Sequence, residues 1–160
     1  LFTRCIDADE AFQAVEGRLL ALIFAMLGIG AALQRSGAVD LIVDAASPLL
    51  MILPPAVALW VVYLMCSALT ELVSNNAVAV VMTPIAAGIG AALGADPRAF
   101  VVAVMIAASA SFATPIGYQT NTLVYGPGGY RFTDFLRVGL PLNLLIGAAA
   151  CTAIPYLWPL

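Results

Sequence analysis

An all-α integral membrane protein is the fold class this sequence predicts, and three observations predict it. The 160 residues are 63% hydrophobic and 9% charged, with a mean hydropathy of +1.05. Soluble globular domains carry roughly 25% charged residues. The charges also leave long gaps: none falls between Arg18 and Arg35, Asp44 and Glu71, Glu71 and Asp96, Arg98 and Arg131, or after Arg137. Most of these gaps match the roughly 17–25 apolar residues that cross a bilayer as a helix; the first is slightly short. Thirdly, the polar residues inside the gaps are clustered, at 70–76 and 114–122.

The charge balance narrows function. The net charge is −3, and all six basic residues are Arg, with no Lys or His. Such a surface indicates no nucleic-acid partner. Cys5, Cys66 and Cys151 are unevenly spaced, without a CxxC pair; with no His, that argues against a transition-metal site. No nucleophile–base pair stands out, so no enzyme is expected. The sequence opens at Leu1 and shows no signal-peptide pattern, which reads as a fragment whose N-terminal part is missing.

The elements follow in order. Residues 6–16 (IDADEAFQAVE) form an amphipathic surface helix, with Asp7 or Asp9 able to cap it. Residues 19–33 form a first span, ended by QRSG. Residues 39–53, interrupted by Asp40, Asp44, Ser47 and Pro48, read as a connecting helix. Pro54 and Pro55 open the next helix, 56–72. A further helix covers 77–93. The two meet at Ser74–Asn75–Asn76, either as two full spans joined by a surface turn or as a re-entrant hairpin. GADPR at 94–98 is a surface turn. Residues 100–113 form a helix too short to cross alone, and it ends at Thr114–Pro115. After the polar run GYQTNT the apolar sequence resumes at 123–125, so one crossing broken near its middle is the simplest geometry. GPGGYR at 126–131 is a loop, and 135–158 is the last span, with Tyr156 and Trp158 as interfacial anchors. The hexapeptide GIGAAL, at 28–33 and 88–93, suits close helix packing rather than phosphate binding, because no strand precedes it.

Irregular backbone at membrane depth is tolerated only inside protein or beside a water-filled cavity. Transporters use such breaks to coordinate ions with unwound carbonyls, and hydroxyl, amide and carbonyl oxygens suit a hard cation. The clusters at 70–76 and 114–122 fit that use; ordinary turns are the alternative. Neither holds a basic side chain, so an anion there would rely on neutral donors and helix termini.

TELVSNNAVAVVMTPIA (70–86) and SASFATPIGYQTNTLVYGPGGYRFTDFLRVGLPLNLL (109–145) closely resemble the C-terminal half of the divalent anion:sodium symporters, a family of the ion transporter superfamily. EAFQAVEGRLLALIFAMLGIGAALQRSGAVDLI (10–42) is similar to that family's helix before its second hairpin. The resemblance implies the second of two inverted repeats in an elevator-type transporter. Residues 1–53 then hold an amphipathic, a scaffold and a connecting helix. Residues 54–93 are a re-entrant hairpin, 94–134 a broken helix and loop, and 135–160 the C-terminal span.

The resemblance implies a sodium site around Thr70, Val73, Asn75 and Gly117. It implies an anion site at Asn75 and Asn76, with Ser74 beside them and with Tyr118, Gln119 and Thr120 facing them. The tip reads Ser-Asn-Asn where the family has Ser-Asn-Thr, and the facing loop lacks the Pro-Pro-Asn pattern of dicarboxylate members. The GYQTN loop looks more like members that carry sulfate or other inorganic anions.

Glu71 reads as a structural hydrogen bond to backbone at the hairpin turn, with a cation ligand or proton relay as the alternative, and Asn143 as an interhelical hydrogen bond rather than a ligand. Arg4, Arg18, Arg131 and Arg137 fall on the cytoplasmic side of the family topology, in line with the positive-inside rule. The expected function is secondary transport of a small anion, sulfate-like or dicarboxylate, coupled to Na⁺ and without a cofactor. The expected setting is a homodimer in a bacterial inner membrane, completed by the N-terminal repeat. A cation/proton antiporter or arsenite-type permease of the same superfamily is the runner-up, and a non-transporting membrane module a third reading.

Overall fold

A computed structural model describes residues 52–160 continuously, together with isolated positions between 24 and 45. The helices expected at 6–16, 19–33 and 39–53 otherwise lie outside the described residues, as does the first GIGAAL copy. Within 52–160 the elements are α1 (Pro55–Thr70), α2 (Asn75–Ala92), α3 (Pro97–Ser109), α4 (Gln119–Tyr125) and α5 (Phe132–Leu157).

Local chemistry accounts for most of the boundaries. α1 begins with Pro55 at its first position, where the missing N–H is one the helix would leave unpaired anyway. Ser74 caps α2, its hydroxyl accepting from Ala77 N at 3.4 Å. Gly94 follows α2 at φ 71°, a left-handed conformation that only glycine adopts cheaply. Asp96 then caps α3 through Arg98 N at 2.9 Å, with Pro97 as the first helical residue. α5 starts earlier than the hydrophobic pattern suggests, at Phe132, because Asp134 Oδ2 accepts from Arg131 N at 2.8 Å.

One boundary differs from the sequence expectation for a tertiary reason. The helix expected over 100–113 stops at Ser109. Ala110 turns off at φ −91°, ψ 72°, and Ser111, Ala113 and Thr114 bond to the tip of the α1–α2 hairpin instead of continuing the helix. Partners outside the helix have replaced its own ladder.

α3 is the centre of the packing. Ala99, Phe100, Ala103, Val104 and Ala107 are completely buried, between α1 on one side and α2 on the other. The second GIGAAL copy makes this close: a methyl group on Gly90 would lie 2.8 Å from Phe100 Cδ2. That is small-residue helix packing, as the pattern suggested.

α2 and α5 are, by length and composition, capable of crossing a membrane, whereas α1 and α3 are shorter. The 26 residues of α5 span about 39 Å. The base of the hairpin docks at the end of α5, where Asp96 N donates to Pro159 O at 3.1 Å. The tip meets α5 near its middle, at Asn143. Tyr156 is 90% exposed at the end of α5, while Trp158 is partly buried against the core.

Candidate functional site

The site forms where the hairpin tip (71–74) meets the non-helical stretch 110–118 between α3 and α4. α1 delivers Thr70, with no exposed surface, to this junction. Its hydroxyl reaches Asn75 Oδ1 at 2.6 Å and Ala108 O at 3.0 Å. Thr70 Oγ1 carries one proton and the other two atoms are acceptors, so three oxygens share a single hydrogen. With the Asn75 amide turned this way its oxygen faces the hydroxyl, an arrangement of oxygens that suits a hard cation; turned the other way, Nδ2 would donate to Thr70 Oγ1 and the hydroxyl to Ala108 O.

Gly117 sits against the same residue. A methyl group there would collide with Ser111 Oγ and lie 2.9 Å from Thr70 O. Ser111 Oγ donates to Thr70 O at 3.1 Å. The fold thus brings together three of the four residues expected around sodium: Thr70, Asn75 and Gly117. Val73 lies on the turn, 49% exposed, with its N–H donating to Leu69 O.

The expected anion residues divide differently. Ser74 and Asn76 are exposed at the tip, and Tyr118 and Thr120 are exposed at the start of α4. Gln119 opens α4. None of them is basic.

Other residues of the polar run hold the break open. Asn121 Nδ2 donates to Ser111 O at 3.0 Å and to Thr114 O at 3.1 Å. Thr122 Oγ1 donates to Pro115 O at 2.6 Å. Thr114 Oγ1 donates to Glu71 O at 3.0 Å and accepts from Gly117 N at 3.1 Å. The cluster at 114–122 therefore serves two purposes, and only part of it is free to meet a solute.

Glu71 is the one buried charged side chain among the described residues. Its Oε1 accepts from Ala113 N at 2.9 Å and from Asn143 Nδ2 at 2.8 Å. The structural hydrogen bond expected to backbone at the hairpin turn runs instead to the backbone of the break, joined by an interhelical bond from α5. Glu71 Oε2 and Asn143 Oδ1 have no partner among the described residues.

Sequence reasoning passed over Ser111 and Gly139. Ser111 lies in the small-residue run SASFATP, beside the polar cluster, and adjacency was its only signal. Gly139 approaches the break from α5, and a methyl group there would strike the Phe112 carbonyl and sit 2.5 Å from Ala113 N. No local pattern marks it.

Transporters place interrupted helices of this kind at their sites, against other elements of an apolar bundle. The chain belongs to the citrate transporter family CitMHS, whose family model matches residues 1–105. It is accordingly an integral membrane protein of a family of transporters, not of enzymes.

Relatives agree with the resemblance to divalent anion:sodium symporters. The uncharacterized transporter sll0640 of Synechocystis is 42% identical over 149 residues, covering 91% of this chain and 24% of the relative. Sodium/sulfate cotransporter 1 of Chlamydomonas reinhardtii is 35% identical over 160 residues, covering 98% and 18%. Solute carrier family 13 member 2 of rat is 32% identical over 145 residues, covering 88% and 24%. The chain thus spans about a quarter or less of the length of these relatives.

Proposed function

We propose that this chain is the second inverted repeat of an elevator-type secondary transporter that moves a sulfate-like anion together with Na⁺. The observation that carries the reading is the meeting of Thr70, Asn75 and Gly117 where tip and break join, with Thr70 Oγ1 2.6 Å from Asn75 Oδ1 and 3.0 Å from Ala108 O. Oxygen ligands favour a hard monovalent cation. Sodium is the natural candidate, held by these groups with carbonyls from Gly117 and Val73.

The depth of the tip supports a re-entrant hairpin. The tip bonds to Asn143, near the middle of α5, and the hairpin base docks at the end of α5. With α5 crossing the bilayer, the tip lies inside it, and residues 54–93 enter and leave on one side. Residues 94–134 then form the broken helix and loop, 135–160 the last span, and 1–53 the scaffold and connecting part.

The anion lies on the exposed side of the junction, between Ser74, Asn75 and Asn76 and the start of α4 at Tyr118, Gln119 and Thr120. Sulfate stays fully ionised at neutral pH and can be held by neutral donors alone. The absence of the dicarboxylate loop pattern and the likeness to sodium/sulfate cotransporters favour it over a dicarboxylate. The N-terminal repeat of the same protein completes the site, a homodimer forms through the scaffold, and the membrane is a bacterial inner membrane.

The runner-up, a cation/proton antiporter or arsenite-type permease, is favoured by one observation: Glu71 Oε2 is buried without a partner among the described residues. Uptake of sulfate, phosphate, dicarboxylates and arsenite into proteoliposomes, with and without Na⁺, separates the readings. Sodium-stimulated sulfate uptake is expected. Uptake indifferent to Na⁺, or restricted to arsenite, would overturn the proposal.

A further inference from the structure

Asn143 sits on a face of α5 that is pinned on both sides. One turn earlier, Gly139 lets the helix touch the Phe112 carbonyl of the break. One turn later, Gly147 receives the Tyr63 ring, with a Cβ there only 2.5 Å from Tyr63 Cε1. Tyr63 OH donates to Asn143 O at 3.1 Å, tying α1 to α5 at the same level. Residues at i, i+4 and i+8 share one helix face, so these contacts fix the height of α5 at Asn143.

From that fixed point Asn143 Nδ2 donates to Glu71 Oε1, the oxygen that also accepts from Ala113 N. One carboxylate oxygen therefore joins the tip, the break and α5. Glu71 follows Thr70 in the chain, and its own carbonyl takes the Thr114 hydroxyl that receives Gly117 N. Asn143 is thus linked to the oxygens around Thr70 without touching them. No comparable bonds run from it to Ser74, Asn76, Tyr118 or Thr120 among the described residues.

Asn143 serves poorly as a packing residue. It is only 5% exposed, yet its Oδ1 has no partner among the described residues. A buried acceptor without a donor is unfavourable, so its own hydrogen-bond balance does not explain why an amide stands there. What it supplies is the donor to Glu71.

We infer that Asn143 is a positioning residue for cation coupling: through Glu71 it sets the tip against the break and so tunes the affinity for the coupling ion more than that for the anion. The inference rests on the transport reading above, and its test keeps the two separable. In the full-length permease, Asn143→Leu removes the donor at similar size, and Asn143→Gln keeps a donor on a longer arm. Anion uptake is measured against Na⁺ concentration at fixed anion, and against anion at saturating Na⁺. Asn143→Leu is expected to raise the Na⁺ concentration for half-maximal uptake by about tenfold, the loss of one hydrogen bond to a charged group. The anion KM at saturating Na⁺ stays within about twofold, and Asn143→Gln falls between Leu and wild type.

Combined with Glu71→Ala, which removes the acceptor, the Leu substitution should add little, because both act through one contact. Equal losses in both affinities, or full additivity, would overturn the inference. A second readout needs no transport. A cysteine placed at 74 should react faster with a small aqueous thiol reagent in the Asn143→Leu protein than with Asn143 intact, because the tip is released. Unchanged labelling overturns the positioning role even if uptake changes. A wild-type protein without sodium-dependent uptake sinks the transport reading alone, and the labelling still decides this one. If the Leu variant does not fold, the Gln variant carries both measurements.

Discussion

Gly117 shows how one missing methyl group shapes the site. Ser111 Oγ and Thr70 O both crowd the space its Cβ would take, with Thr114 Oγ1 3.2 Å away. Gly117→Ala is expected to push the break off the tip, at about 1–3 kcal/mol for overpacking a filled site. Measured as Na⁺ dependence of uptake, it should weaken cation affinity severalfold or more. Ser111→Ala in the same protein removes the worst collision and should restore part of that affinity; no recovery would mean that Thr70 O alone sets the limit. Asn75 offers the complementary test. Its oxygen faces Thr70 Oγ1 at 2.6 Å, and the rest of its amide is available to the anion side. Asn75→Asp keeps an oxygen beside Thr70 while adding a negative charge and removing the NH₂ donor. The expected outcome is anion affinity lost by a larger factor than sodium affinity, read from the two saturation curves.

The hairpin and the broken helix are the elements that matter, and each is defined by what the other supplies. The tip has few bonds of its own: Ser74 caps α2 weakly, and Leu69 O takes the N–H groups of Leu72 and Val73. Glu71 O and Oε1 take further partners from Ala113, Thr114 and Asn143. The break in turn loses helical bonds and regains partners from the tip and from Asn121. This mutual dependence yields a prediction about depth. Cysteines at 74 and 76 should react with small aqueous reagents more slowly than one at 96, and substrate should slow them further. Labelling as fast as at 96, and indifferent to substrate, would make 71–74 a surface turn between two full spans.

The whole molecule leaves a large apolar surface outward. Val138 and Leu145 on α5 are 68% and 66% exposed, and Val61, Leu64 and Met65 on α1 are 40–46% exposed. Monomeric soluble proteins rarely leave such surfaces bare, and a membrane can cover them. The described elements hold one hairpin and one broken helix, whereas transporter sites of this kind lie between two repeats. Residues 1–160 reconstituted alone are therefore expected to show no coupled uptake. Sodium-driven sulfate accumulation by that chain would show that one repeat suffices.

The membrane setting and the rough helix map were legible in the sequence, because the spacing of charges and the Pro, Gly and Asp punctuation are local signals. Pro55, Gly94 and Asp96 end up where their own backbone chemistry requires. The clusters at 70–76 and 114–122 were also legible as departures from an apolar background. Their meeting had no local signal and was expected only from the family resemblance. Whether Ser74–Asn76 sat at a surface or faced the break depended on Glu71 finding Ala113 and Asn143, 42 and 72 residues away in the chain. The end of α3 at Ser109 was decided the same way, since residues 111–114 leave a helix their composition would permit. Long-range hydrogen bonds in a buried, low-dielectric junction outweighed local propensity there. The sequence by itself determined which residues are polar in an apolar chain; the tertiary structure decided which of them stay exposed at the junction and which hold the frame, because only packing determines where each donor finds its acceptor.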